Sequence, residues 1–437
     1  WRHDEAEQAR RFRDAFAAPA DRLYWYGWQD IPRDVPVQEG LYFDPRHYHM
    51  GVTDAAGRPK LLRRMLEDGG LPALARLPAP ALRRADRARP VAVIGGAGFI
   101  GSNLADAFAA EGSEVVVLDN LSRPGVEANL DWLKAQHDAR IHPLLGDVRD
   151  EAAVAEAVRG ARAVFNFAAQ VAVTTSLDDP VHDFSVNVGG ALGVLEAVRR
   201  HAPDAPVIFA STNKVYGNLG DLALDDADGR HLPVDPELRA HGISENRPLD
   251  FCTPYGCSKG AADQYVLDYA KSFGLKTAVL RMSCIYGRRQ FGTEDQGWVA
   301  HFLIRALAGE PIAIFGDGRQ VRDILDVRDA VAAYRALLAG IDGLAGRAFN
   351  LGGGPANAVS LGDVLAEIGA RTGAPPEVRH RPWRTGDQLY FVADTRRLAR
   401  ATGWKPRIGW RQGVADLAAW LAAERAPGSI PRRRLLA

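Results

Sequence analysis

The segment VAVIGGAGFIGSNLADAFAA at 91–110 limits the possible folds of this chain more than any other. A short apolar run meets three spaced glycines, Gly95, Gly98 and Gly101, and an amphipathic helix follows without a spacer. Gly95 permits a tight turn, Gly98 lets the backbone approach a pyrophosphate, and Gly101 lets helix and strand pack closely. The helix N-terminus then offers free N–H groups to phosphate. Asp119 ends the next apolar run, EVVVLD, where a carboxylate accepts ribose hydroxyls and repels a 2′-phosphate, so NAD is expected rather than NADP. Arg123 is close enough in sequence to keep NADP open. Asp147, in LLGDVRD, has two readings: an adenine contact or a helix N-cap.

The same pattern recurs. VAVI, EVVVLD, AVFNFAA (163–169), PVIFAS (206–211) and TAVLRM (277–282) are apolar on both faces, as in a buried parallel sheet. Helical periodicity fills the intervals. Residues 90–282 are therefore expected to form a Rossmann-type, doubly wound α/β domain. IAIFG (312–316), RAFNLGG (347–353) and LYFVAD (389–394) suggest a smaller C-terminal α/β lobe at 283–425, with a tail at 426–437. Upstream, residues 1–50 hold ten aromatic residues, and 71–90 is rich in Pro and Arg. An aromatic-rich N-terminal appendage (1–75) and a linker (76–89) are expected, the appendage being either the tail of a truncated fusion or a segment that packs its aromatics on the rest of the chain.

Lys plus Arg and Asp plus Glu are each 54, so no global basic field exists for nucleic acid or an anionic membrane. Cys252, Cys257 and Cys284 show no C-x-x-C spacing, which fits reduced thiols in a cytoplasmic protein. No apolar run reaches membrane-spanning length. The histidines show no ligand spacing, so no metal is expected.

Reactive chemistry is suggested further on. STNKVYG (211–217) ends a strand, and YGCSK (255–259) opens a helix with Tyr255 and Lys259 on one face. A free tyrosine is a poor base at neutral pH, but a nearby ammonium and a nicotinamide cation stabilise its phenolate. Tyr255 could then take a proton from a sugar hydroxyl oriented by Thr212.

In the order GGAGFIG, Asp119, GDV, FAAQ, Asn187, STNKVYG and Y-x-x-x-K, the chain resembles the extended short-chain dehydrogenase/reductase family over about residues 90–425. NFAAQVAVTTSLDDP, TPYGCSKGAADQYVLDYAKSFGL and YGRRQFGTEDQGWV resemble its CDP-paratose (CDP-tyvelose) 2-epimerase branch. The resemblance implies a nucleotide-sugar epimerase with tightly bound NAD, a CDP-linked substrate inverted at C2, and a homo-oligomer. It adds Phe99, Ile100, Asn120, Val148, Ala168 and Ala169 to the cofactor contacts. Arg322 and Arg384 become pyrophosphate ligands, and Asn213 and Asp387 further substrate contacts. Asn166 departs from the family, where many relatives have His. Where related 4,6-dehydratases follow the threonine with Asp-Glu, this chain has Asn213 and Lys214, so elimination of water lacks its acid and base. A UDP-hexose 4-epimerase and a non-catalytic dinucleotide-binding module remain as alternatives. The insertion at 218–254 covers the sugar site or is a surface addition, and Trp298 lines a pocket or fills the lobe core. YWYGWQD (24–30) is similar to the end of a glycoside hydrolase barrel, which about 70 residues cannot close.

Overall fold

In the computed structural model, residues 89–424 are described. The chain divides into two units between Arg87 and Ala88. The expectations for the appendage, the linker before residue 89 and the tail lie outside the described residues.

The elements run β1 (Val91–Ile94), α1 (Phe99–Ala110), β2 (Val115–Asp119), α2 (Val126–His137), β3 (Ile141–Leu145), α3 (Glu151–Val158) and β4 (Ala163–Asn166). Two short helices, α4 (Val173–Asp178) and α5 (Pro180–Phe184), lead through a π-turn (Ser185–Gly189) into α6 (Gly190–His201) and β5 (Val207–Thr212). An insertion adds β6 (Leu224–Ala227), β7 (Arg230–Pro233) and α7 (Pro236–His241). The chain continues with α8 (Thr253–Phe273), β8 (Thr277–Met282), β9 (Cys284–Tyr286), α9 (Trp298–Ala308), β10 (Ile312–Phe315) and β11 (Val321–Asp326). Next come α10 (Val327–Ala339), α11 (Ile341–Leu344), β12 (Arg347–Leu351), β13 (Ala358–Ser360) and α12 (Leu361–Thr372). The last elements are β14 (Val378–Arg381), β15 (Tyr390–Phe391), α13 (Arg396–Thr402) and α14 (Trp410–Glu424).

Seven strands form one parallel sheet in the order β12-β8-β5-β4-β1-β2-β3. Alternation along each strand divides its side chains between two cores. Val91, Val93 and Phe165 pack with α1, α2 and α10 on one face, while Ala92, Ile94, Val164 and Phe209 pack with α3, α6 and α8 on the other. This is the doubly wound arrangement expected from the apolar runs. One expectation is corrected: RAFNLGG does not belong to the second lobe. Its strand β12 pairs with β8 at the sheet edge, and α10 returns to cover the first core. The second lobe is therefore not one continuous stretch after residue 282. Its core joins β10 and β11 with α9, α12 and α14.

The insertion is a hairpin whose turn, Asp228-Gly229, has both residues at positive φ. Leu222, Leu224 and Leu232 pack on Val321, Tyr390 and Val392 of the lobe. It thus buries apolar surface of β11 and β15. No described helix is long and apolar enough to cross a membrane.

Candidate active site

Site residues gather at the carboxyl ends of β1, β4 and β5, near the point where strand order reverses, the usual ligand crevice of such sheets. Gly95 leaves β1 at φ 77°, and a Cβ there would stand 2.6 Å from the Ala168 nitrogen. A Cβ on Gly101 would run into the Gly95 carbonyl oxygen. At Gly98 the nearest obstacle is 3.2 Å away, so its open side remains approachable. Gly98 caps α1 without a side-chain hydrogen bond. This bare turn, with Phe99 and Ile100 opening the helix and Ala168 directly beneath, fits a dinucleotide pyrophosphate.

Asp119 accepts hydrogen bonds from the N–H groups of Ala97 (3.0 Å) and Leu121 (2.9 Å), tying the strand end to the glycine turn. Burial pushes its carboxyl up, and these bonds oppose that. Asn120 donates to Asp147 at 2.9 Å. Asp147 is held well below the usual carboxylate range by Arg149, which also pairs with it at 2.8 Å. The N-cap of α3 is Asp150, not Asp147. Val148 is buried beneath Gly190.

Thr212 ends β5 and accepts from the Lys214 N–H at 3.2 Å. Ser211 donates to Asp263 at 2.8 Å, and Arg281 pairs with the same carboxylate at 2.9 and 3.0 Å, locking this strand end to α8 and β8. Tyr255 lies in the first turn of α8, its N–H bonded to Ser176 Oγ at 3.1 Å. Desolvation pushes Tyr255 up to about 12; a hydrogen bond with Thr212 and the charge of Arg123 pull it down, and Asp183 raises it. Lys259 follows one turn later, 3% exposed, donating to the Ala210 carbonyl at 2.6 Å. Desolvation lowers it to about 7, against the raising charges of Asp263 and Asp183.

Across the crevice, segment 384–388 closes on the strand end. Asn213 donates to Gln388 Oε1 at 2.9 Å, and fully buried Gln388 donates to the Gly217 carbonyl at 2.7 Å. Lys214 donates to the Gly386 carbonyl at 2.9 Å and stands 3.9 Å from Asp387. Burial and the Arg322 charge bring Lys214 down to about 8. Arg322, buried itself, donates to the Val321 and Gln388 carbonyls. Arg384 pairs with Glu294 at 3.0 Å and lies 3.6 Å over the Phe315 ring. Trp298 packs edge-on against Phe302 of the lobe core and donates to Cys284 Sγ at 3.4 Å, which agrees with its core reading.

The sequence did not single out Gln388, Asp183 or Ser176, nor Lys214 as a site member. Their significance comes from contacts far apart in the chain. Arg123, which keeps NADP open in the sequence, also lies within electrostatic reach of Asp295 and Tyr255.

Residues 91–352 match the NAD dependent epimerase/dehydratase family. The chain is 40% identical over 339 residues to CDP-paratose 2-epimerase of Salmonella typhi, covering 76% of this chain and 98% of that protein. It is 32% identical over 332 residues to UDP-glucose 4-epimerase of Mycolicibacterium smegmatis, covering 74% and 95%. Among solved structures it resembles DesIV, a dTDP-glucose 4,6-dehydratase from Streptomyces venezuelae with NAD and TYD bound, at a TM-score of 0.67 and 28% identity, covering 77% and 98%. It also resembles the UDP-glucose 4-epimerase of Thermus thermophilus in complex with NAD, at 0.63 and 32%, covering 76% and 99%.

Proposed function

The chain belongs to the NAD dependent epimerase/dehydratase family, and from that membership we propose an NAD-dependent nucleotide-sugar epimerase that inverts C2 of a CDP-linked dideoxyhexose. The observation that carries the reading is the convergence of Thr212, Tyr255 and Lys259 beside a glycine turn shaped for a dinucleotide. Bound NAD would supply a reversible hydride acceptor for the sugar carbon. Gly95, Gly98, Phe99, Ile100, Gly101, Asp119, Asn120, Asp147, Val148, Ala168, Ala169 and Lys259 would hold it.

Tyr255, as phenolate, removes the proton from the reacting sugar hydroxyl and returns it after the carbonyl has turned. Thr212 hydrogen-bonds the same oxygen and fixes its direction. Lys259 contributes positive charge from one helical turn away. Asn213 and Lys214 stand where a dehydratase needs its acid and base, and both are engaged with segment 384–388. Arg322 and Arg384, with Asp387, face the nucleotide from the lobe. Arg forks suit diphosphate oxygens, so substrate binding would exchange the Arg384–Glu294 pair for phosphate.

The test is product analysis. Incubation with CDP-paratose is expected to give CDP-tyvelose, read by NMR as inversion at C2. Inversion of UDP-glucose at C4, with C2 of the CDP-sugar untouched, would replace the substrate assignment while keeping the same triad. Protein that contains NAD and turns over neither would favour the dinucleotide-binding module.

A further inference from the structure

Beside the site lies a buried carboxylate with no task in the reaction just described. Asp183, on α5, has no solvent exposure. Its Oδ1 accepts from Asn187 Nδ2 at 3.1 Å, the Ser258 hydroxyl is also within hydrogen-bonding reach, and Oδ2 has no hydrogen-bonding partner in the protein. Asn187 occupies the π-turn, a distortion often found at functional sites. Its amide also donates to Ser258 Oγ at 3.0 Å and to the Gln170 carbonyl at 3.1 Å. One side chain therefore links Asp183 to the residue that precedes Lys259.

Lys259 has the complementary difficulty. Its ammonium is buried, donates to one backbone carbonyl, and lies 4.2 Å over the Phe209 ring. Two carboxylates act on it, Asp263 and Asp183. Asp263 is already engaged by both arms of Arg281 and by Ser211. Asp183 has no guanidinium of its own; burial pushes its carboxyl up, and the Ser258 hydroxyl and the charges of Lys259 and the exposed His182 oppose that.

We propose that Asp183 is the counter-charge of Lys259, a positioning residue that keeps the lysine an ammonium in a desolvated site. The proposal rests on the reading of Tyr255 and Lys259 as the reacting pair. An isolated buried ion tends to neutralise, whereas an opposite charge close by favours the charged form of both. Removing one partner leaves the other uncompensated. The groups facing this pair are Tyr255, Cys257, Ser258 and Asp263 on α8 and His182 on α5, while Arg123 acts on Tyr255 from the loop after β2. Asp183 thus opposes the Tyr255 phenolate directly but supports it through Lys259.

The chain has seven lysines, few enough for an NMR titration of protein labelled with [ε-13C]lysine. Lys259 is assigned from its absence in Lys259→Met. The measurement needs neither substrate nor turnover. Asp183→Asn keeps an oxygen acceptor for Asn187 and removes the charge, with an NH2 in place of the unpartnered Oδ2. Its Lys259 midpoint is expected at least about one pH unit below wild type, a tenfold change in the amine–ammonium ratio. Asp183→Glu is expected to return the midpoint toward wild type. Asp183→Ser gives the same reading if the asparagine variant does not fold.

An unchanged or raised midpoint in a folded, charge-free variant overturns the proposal, as does a wild-type Lys259 that is already an amine at pH 6. In turnover, the alkaline limb of the pH profile should move down with the NMR midpoint. A rate that falls at every pH without moving that limb marks a structural role and also overturns it. A protein that epimerised no nucleotide sugar would sink the proposed reaction and leave the titration standing.

Discussion

Tyr255 is a poor base in the protein alone. Desolvation holds it at about 12, so at neutral pH its phenol is almost wholly protonated. A bound nicotinamide cation adds positive charge and stabilises the phenolate, which lowers the pKa. The difference absorbance of wild type minus Tyr255→Phe near 295 nm should therefore titrate at high pH without NAD and at lower pH with it. A titration unmoved by NAD would remove the cofactor from the activation of this residue. Tyr255→Phe deletes one hydroxyl and little volume. Turnover should fall by at least about a hundredfold, in line with general-base losses, with fold and NAD content retained. Thr212→Val should cost less, because the valine loses the orienting hydrogen bond and leaves the base intact. Full activity in Tyr255→Phe would end the mechanism for any substrate.

At the scale of elements, the glycine turn separates fold from binding. Gly95→Ala places a side chain at φ 77°, with its Cβ 2.6 Å from a backbone nitrogen. Such strain costs on the order of 1–3 kcal/mol, and the turn cannot relax without moving β4. This variant should lose thermal stability and NAD together. Gly98→Ala meets only the Gly95 oxygen at 3.2 Å. It should fold normally and bind NAD more weakly, as calorimetry would show. Equal stability losses in both would mean that the two glycines serve the same structural role. The sequence was most readable in strands such as β1, β4 and β5, which are buried on both faces. β3 was legible only at its end, where LLGDVRD places Asp147 after a strand, because only Ile141 of its five residues is buried and Pro143 interrupts it at the sheet edge. The hairpin β6–β7 was signalled by Asp228-Gly229, a pair suited to a two-residue turn with both residues at positive φ, but its charged, half-exposed strands read as loop. β12 looked like a lobe strand because its helix and strand follow β11 in sequence, although they pack back onto β8.

At the scale of the molecule, the proposed reaction divides between cofactor sheet and lobe. Local spacing made Tyr255, Lys259 and the glycines legible. Gln388, Asp183 and the clasp of Lys214 on Gly386 were not, since each depends on residues distant in the chain that only folding unites. That division sets the expected fate of the sugar hydrogen. Arg322 and Arg384 belong to the lobe, whereas Thr212 ends a strand of the sheet and Tyr255 opens helix α8 packed on it. A nucleotide anchored by the lobe leaves its sugar free to turn about the bonds to phosphate, presenting either carbonyl face to the same hydride source. No carboxylate follows Thr212 to remove a proton from a neighbouring carbon. A CDP-sugar deuterated at C2 should therefore keep its label through inversion, and reaction in D2O should put no deuterium at C2. Mass spectrometry and NMR of the product read both outcomes. Loss of the C2 label to solvent, or solvent deuterium at C2, would mean proton abstraction next to a carbonyl and would assign the chemistry to a base other than Tyr255 acting on the hydroxyl.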